Sequence, residues 1–231
     1  MNITTLGSSS AGNCYIIDDG KTRLLLDAGV PFSDIQRATD YRVNEISGCL
    51  ISHRHGDHTK SIPQLVRRGV GVFGPEDVAE HFQGVRNLEE FTPVGVGTYD
   101  VVPFGLEHDA PCFGYQVRSI FDGSCLVYIT DSSGCDVRFK GCNYLLIEAN
   151  HDWSLLRQRV DAQEIPETLA RRIENTHMSI RQVEEFLRDM DRTELREVRL
   201  IHLSDDNSSE NDFISRVEAI VGAGVKVTAE G

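Results

Sequence analysis

The chain has 231 residues, with 36 acidic side chains against 23 basic ones and a formal net charge of −13 at pH 7. That balance excludes a protein that coats nucleic acid or an anionic membrane by bulk charge, because such proteins carry broad basic faces. At 40% hydrophobic and 26% charged residues the composition is that of a globular domain, long enough to bury a core without disulfides. No apolar run approaches the roughly 18–20 residues of a membrane span, and Met1–Leu6 lacks the basic and apolar regions of a secretion signal. The six cysteines (Cys14, Cys49, Cys112, Cys125, Cys135 and Cys142) form no CxxC pair, and several fall in apolar runs. They read as buried thiols of a reducing compartment, so a cytoplasmic location is expected.

In chain order, apolar runs ending in polar residues predict strands at Arg23–Asp27 and Ile46–Ser52, with a helix at Pro31–Ala38 opened by its proline. Helices are expected at Lys60–Arg68 and Pro75–Phe82, then strands at Thr98–Val102, Phe113–Ser119, Leu126–Thr130 and Tyr144–Glu148. Ser8–Asn13 fits a turn between two N-terminal strands; it lacks the Lys-Ser/Thr of a nucleotide P-loop. After Asn150 the period becomes helical, over Leu155–Val160, Glu164–Ile173 and Ile180–Met190. Ser179 is placed to cap the last of these. A strand at Val198–Leu203, a helix at Asn211–Val221 and a strand at Val225–Thr228 complete the chain. The order predicts an α+β fold: a four-layer αββα sandwich forming a single domain over residues 1–231.

The sharpest motif is His53-Arg54-His55-Gly56-Asp57-His58, directly after the apolar run Cys49-Leu50-Ile51. Four potential ligands within six residues at a strand end suit a metal site, and mixed imidazole and carboxylate donors suit Zn, Mn or Fe. One hexapeptide cannot complete two coordination shells. His108 and Asp131, which follow apolar runs, and His202, inside one, are the further candidates. No GxSxG elbow or Ser–His–Asp arrangement competes for the chemistry.

These residues, with Asp27 ahead of them, resemble the metallo-β-lactamase superfamily, which has the αββα fold. A narrower resemblance is to the WalJ/YycJ-type proteins. Ser8-Ser9-Ser10-Ala11-Gly12-Asn13-Cys14-Tyr15, His108-Asp109-Ala110, Glu148-Ala149-Asn150-His151-Asp152 and His202-Leu203-Ser204 carry it. The resemblance implies two divalent ions, one held by His53, His55 and His108 and the other by Asp57, His58 and His202, with Asp131 bridging them. It implies that Asp27 orients a ligating imidazole, and that a metal-bridging hydroxide attacks the substrate. The activity implied is metal-dependent DNA exonuclease chemistry. A small-molecule or cyclic nucleotide phosphodiesterase is the alternative, and a thioester or lactam hydrolase is less favoured.

His177, in Asn175-Thr176-His177-Met178-Ser179 before a predicted helix, is the candidate general acid for a departing alkoxide. Glu148 resembles its acidic partner. The departure is at Asn175-Thr176, where WalJ/YycJ-type proteins usually carry glycine before the histidine. His151 reads as a residue on the substrate side or behind the ligands, and His81 as a solvated helix residue. Arg157, Arg159, Arg171 and Arg172 fit either a phosphate grip or an amphipathic surface helix. Two divalent ions would return positive charge to the cleft, so the net charge of −13 leaves a phosphodiester substrate, DNA included, open.

Overall fold

The computed structural model describes residues 1–231. The strands belong to two sheets, one of six and one of seven, and the chain divides into two compact units. The first comprises residues 1–105 and 110–125, the second residues 106–109 and 126–231.

In the first unit, β1 (Asn2–Ser9) and β2 (Gly12–Asp18) form an antiparallel hairpin, followed by β3 (Arg23–Leu26), β4 (Ile46–Leu50), β5 (Val72–Gly74) and β6 (Val85–Asn87). These six strands pair in chain order, and β3 to β6 run parallel. Parallel neighbours need crossovers. Helix α1 (Phe32–Ala38), the short α2 (Gly56–Thr59) with α3 (Ile62–Arg67), and α4 (Glu76–His81) supply them. Leu24, Leu25 and Leu26 of β3 are fully buried, as are Cys49 and Leu50 of β4. Such strands read as continuous apolar runs because both faces are covered. Ile16, Leu25, Cys49 and Val72 pack with Ile35, Ile62, Leu65 and Val78 from the helices. Strands β7 (Val94–Val96), β8 (Tyr99–Leu106) and β9 (Cys112–Ser119) follow, with β7 and β8 antiparallel.

The second unit is built on β10 (Cys125–Ile129), β11 (Tyr144–Glu148), β12 (Glu197–Ile201) and β13 (Lys226–Ala229), all parallel and paired in chain order. Helices α5 (Trp153–Asp161), α6 (Glu167–Thr176) and α7 (Ile180–Asp189) connect β11 to β12, and α8 (Glu210–Val221) connects β12 to β13. Ser179 and Gln182 close a capping box at the start of α7, worth about 1 kcal/mol. Ile180, Val183, Phe186 and Leu187 form the buried stripe of that helix.

Several boundaries differ from the sequence reading. Pro31 and Pro166 lie one residue outside α1 and α6, as N-caps, so α6 begins at Glu167 rather than Glu164. The helix expected over Lys60–Arg68 is α3, which begins at Ile62; the one-turn α2 precedes it, with Lys60 and Ser61 between the two. His202 falls just beyond β12 rather than inside a strand. None of the six cysteines is in a disulfide, and no helix is long and apolar enough to cross a membrane.

Candidate functional site

In open α/β sheets, ligands gather beyond the carboxyl ends of parallel strands. In each unit the candidate residues lie there. Asp27 follows β3 and His53 to His58 follow β4 in the first unit; Asp131 follows β10, Glu148 ends β11 and His202 follows β12 in the second.

Asp27 organises the first group. Its carboxylate is fully buried and accepts from Ser52 N at 2.7 Å and Ser52 Oγ at 2.9 Å. It also lies 2.7 Å from His58 Nδ1. A carboxylate can only accept, so His58 carries its proton on Nδ1 and presents a lone pair at Nε2. That lone pair meets Asn13 Nδ2 at 3.1 Å, and Asp57 Oδ2 lies 3.4 Å from the same nitrogen. Ser52 Oγ also contacts His53 Nδ1 at 3.0 Å. The rings of His53 and His55 meet edge-on at 4.6 Å, and those of His53 and His58 lie 4.2 Å apart. One turn of helix explains the packing of donors: His55 caps α2, and its carbonyl accepts His58 N–H at 3.0 Å.

The main chain here is held in an unusual shape. Asp27 has φ of +58°, where non-glycine residues are uncommon. Asp27 N–H donates to Leu50 O at 2.8 Å, which holds the turn. Gly29 is required beside it, because a Cβ there would overlap the Asp57 carbonyl oxygen.

The second group centres on Glu148, which is fully buried. Oε2 accepts the backbone N–H groups of Ser132 and Met178, each at 3.0 Å. Oε1 lies 2.7 Å from His177 Nδ1 and 2.8 Å from His202 Nδ1. Asp131 Oδ1 is 3.1 Å from His202 Nδ1, and Asp131 Oδ2 is 3.9 Å from His177 Nδ1. Asp131, Glu148, His177 and His202 each offer one ligand atom within 4.8 Å of the others. His202, like Asp27, has a positive φ, +55°. Backbone of this kind concentrates at functional sites, where the surroundings over-determine it. His108 donates through Nδ1 to Thr176 O, 3.1 Å away, which leaves Nε2 for a ligand; Asp109 Oδ1 lies 3.2 Å from that Nε2.

Electrostatics show that this group calls for positive charge. Burial works against a charged His202, yet Asp131 and Glu148 outweigh it and raise its pKa to about 10. Burial likewise opposes a charge on His177, and Glu148 and Asp131 raise its pKa as well. For Glu148, burial favours the neutral acid, but His177 and His202 overcome it and lower the pKa. Two carboxylates buried so close together both stay ionised only beside a cation, either a protonated imidazole or a metal. Donor chemistry in both units therefore fits a divalent ion. His151 differs: it is buried and its Nδ1 has no hydrogen-bond partner, and burial lowers its pKa to about 4, so its ring is neutral.

All four arginines considered from sequence are paired with surface carboxylates. Arg157 Nη1 binds both oxygens of Glu167 at 2.8 and 3.0 Å, and Arg171 Nε reaches the same residue at 3.3 Å. Arg159 pairs with Glu164 at 3.1 Å and Asp206 at 3.3 Å. Arg172 lies 3.7 Å from Asp109, beside His108. His81 is exposed on α4. Sequence reasoning missed Ser52, Asn13 and Asp109 as partners of the histidines. Asn13 stood inside a phrase already singled out, but only as a turn former.

The chain is 28% identical over 229 residues to exodeoxyribonuclease YycJ of Bacillus anthracis, covering 90% of this chain and 84% of that protein. It is 27% identical over 171 residues to exodeoxyribonuclease WalJ of Streptococcus pneumoniae, covering 66% of this chain and 63% of the relative. Among solved structures, the metallo-beta-lactamase fold protein YhfI of Bacillus subtilis superposes with a TM-score of 0.72 at 16% identity, over 99% of this chain and 96% of YhfI. That likeness establishes the metallo-β-lactamase fold. Residues 22–203 match the family model of the beta-lactamase superfamily domain; the chain belongs to that family and is a metal-dependent hydrolase.

Proposed function

We propose that the chain hydrolyses phosphodiester bonds, with DNA as its substrate, in the manner of an exonuclease. The observation that carries the reading is the His177–Glu148 pair. His177 is partly exposed, with 22% of its side chain accessible, and its Nδ1 is bound by a buried carboxylate at 2.7 Å. Nε2 is then the nitrogen left to hold a proton for a substrate. Cleaving a phosphodiester expels an alkoxide, which needs such a proton. A thioester, whose thiolate leaves unaided, does not. The exodeoxyribonuclease relatives support the same substrate class.

The cofactor we propose is a pair of divalent ions, Zn, Mn or Fe. His53, His55 and His108 would hold one, Asp57, His58 and His202 the other, with Asp131 shared. Support comes from the superfamily pattern and from each unit by itself. Asp27 and Thr176 O fix His58 and His108 so that Nε2 is the ligand nitrogen, and Asp131 and Glu148 supply negative charge beside His202. Such ions lower the pKa of a water nucleophile and offset charge on the phosphate. Glu148 orients His177 and fixes its tautomer; Asp27 does the same for His58. The absence of disulfides fits a cytoplasmic location, which completes the proposal.

One observation favours the alternative of a small phosphodiester or cyclic nucleotide. Arg157, Arg159 and Arg171 are occupied by carboxylates rather than presented as a phosphate track. A time course on end-labelled DNA with Mn²⁺, beside bis-p-nitrophenyl phosphate, separates the two. His177→Ala should retain metal and lose turnover about 10²–10⁴-fold. Unchanged turnover would remove the acid role, and a wild-type protein that cleaves a thioester but not bis-p-nitrophenyl phosphate would overturn the phosphodiesterase reading.

A further inference from the structure

Trp153 is the only tryptophan in the chain, and 58% of it is exposed. An indole in water on an acidic body has a cost, and its surroundings fix it in place. It is the first residue of α5, whose N-cap Asp152 accepts Ser154 N–H at 2.7 Å and binds Arg216 Nη1 at 2.8 Å. The backbone leading to it is pinned by Asn150 N–H to Met178 O at 2.9 Å, Ile180 N–H to His151 O at 2.9 Å and Asp152 N–H to Asn207 O at 2.8 Å. The indole therefore projects from a rigid mount.

Arg157, one helical turn on, places its guanidinium 5.7 Å from the indole centroid. Both oxygens of Glu167 clamp that guanidinium, so it remains over the ring. One face of the indole carries a cation whose charge is locally balanced, and the exposed remainder is an apolar aromatic surface. Trp153 lies five positions after Glu148, which limits their Cα–Cα separation to about 17 Å of extended chain. The indole thus sits within a few nucleotides of the residues proposed to act on the scissile phosphate.

We propose that Trp153 is a stacking platform for a nucleobase of single-stranded nucleic acid, held a few nucleotides from the scissile phosphate. This rests on the nuclease reading and adds how an acidic enzyme grips a polymer. Base–aromatic stacking tolerates any sequence, and a neighbouring arginine adds a cation–π contribution. The clamped Arg157 acts through the ring rather than as a phosphate ligand.

Because Trp153 is the sole tryptophan, intrinsic fluorescence reports on it directly. The test titrates short oligothymidine into Mn²⁺-loaded His177→Ala protein, following tryptophan emission and, in parallel, anisotropy of labelled oligonucleotide. The expected result is emission quenching that saturates with the binding curve. For protein with His177 intact, Trp153→Ala should lower kcat/KM on oligonucleotide relative to bis-p-nitrophenyl phosphate by about 5- to 150-fold, through KM. Trp153→Phe should recover most of that loss. Binding by anisotropy with unquenched emission, or a Trp153→Ala protein with an unchanged ratio, overturns the stacking role while leaving the nuclease reading intact. A wild-type protein that hydrolyses bis-p-nitrophenyl phosphate but never degrades oligonucleotide overturns the nuclease reading itself.

Discussion

Replacing Glu148 by glutamine changes one oxygen to an amide nitrogen in a side chain that solvent does not reach. Its two oxygens face different partners. Oε2 takes two backbone N–H groups, from Ser132 and Met178, which can only donate. The glutamine oxygen must therefore occupy that position. The amide NH₂ then meets Nδ1 of His177 and of His202, 2.7 and 2.8 Å away in the parent structure, and forces both to accept. Each ring proton then sits on Nε2: on His202 it occupies the nitrogen proposed to face metal, and His177, without the carboxylate that favours its imidazolium, is left as a neutral ring and a weaker acid. Each charge-assisted bond contributes about 1.5–3 kcal/mol. Losing two, or breaking a buried ion pair at about 3–5 kcal/mol, corresponds to a fall in kcat/KM of about 10²–10⁴. The assay is kcat/KM on bis-p-nitrophenyl phosphate, with metal content measured on the same sample and ring tautomers read by nitrogen NMR. A kcat/KM within about threefold of wild type, with both rings still protonated at Nδ1, would refute the reasoning.

Further outcomes follow from the same geometry. Asp131→Ala should lose activity and metal together, by elemental analysis of the purified protein; retention of both metal equivalents would refute the shared-ligand assignment. Gly29→Ala should force the Asp57 carbonyl aside, costing about 1–3 kcal/mol and weakening metal uptake. Urea unfolding checks this, and a wild-type midpoint would contradict it. In chelator-treated protein, the His202 pKa is raised from 6.5 to about 10. A raised pKa contributes stability that is complete below pH 6.5 and is lost as pH rises through about 10. The melting temperature of metal-free protein should therefore fall across that window more than that of metal-loaded protein; parallel curves would sink the argument.

Much of this was legible in the sequence because local spacing carries it. The run from His53 to His58 announces a ligand-rich turn after an apolar strand, and the stripe Ile180, Val183, Phe186 and Leu187 announces α7 with Ser179 as its cap. Strands β5, β6 and β7 escaped because three residues show no period. The left-handed turn at Asp27 could not be read, because a hydrogen bond to Leu50, distant in sequence, holds it. Ser52 was invisible for a related reason: its hydroxyl matters only because folding brings Asp27, His53 and His58 around it. Glu148 was reached through resemblance; its partners Ser132, His177 and His202 come from three separate stretches of chain. The arginines show the limit of composition, since a basic run cannot reveal that Glu167 occupies two of its members.

The most direct test of metal-dependent phosphodiester hydrolysis uses wild-type protein stripped by chelation and then replenished with Mn²⁺. It is assayed in parallel on bis-p-nitrophenyl phosphate and on a chromogenic thioester. The account predicts phosphodiester turnover that disappears on chelation and returns with metal, at a rate far above any thioester turnover. Thioester hydrolysis with an untouched phosphodiester, or phosphodiester turnover indifferent to chelation, would contradict it.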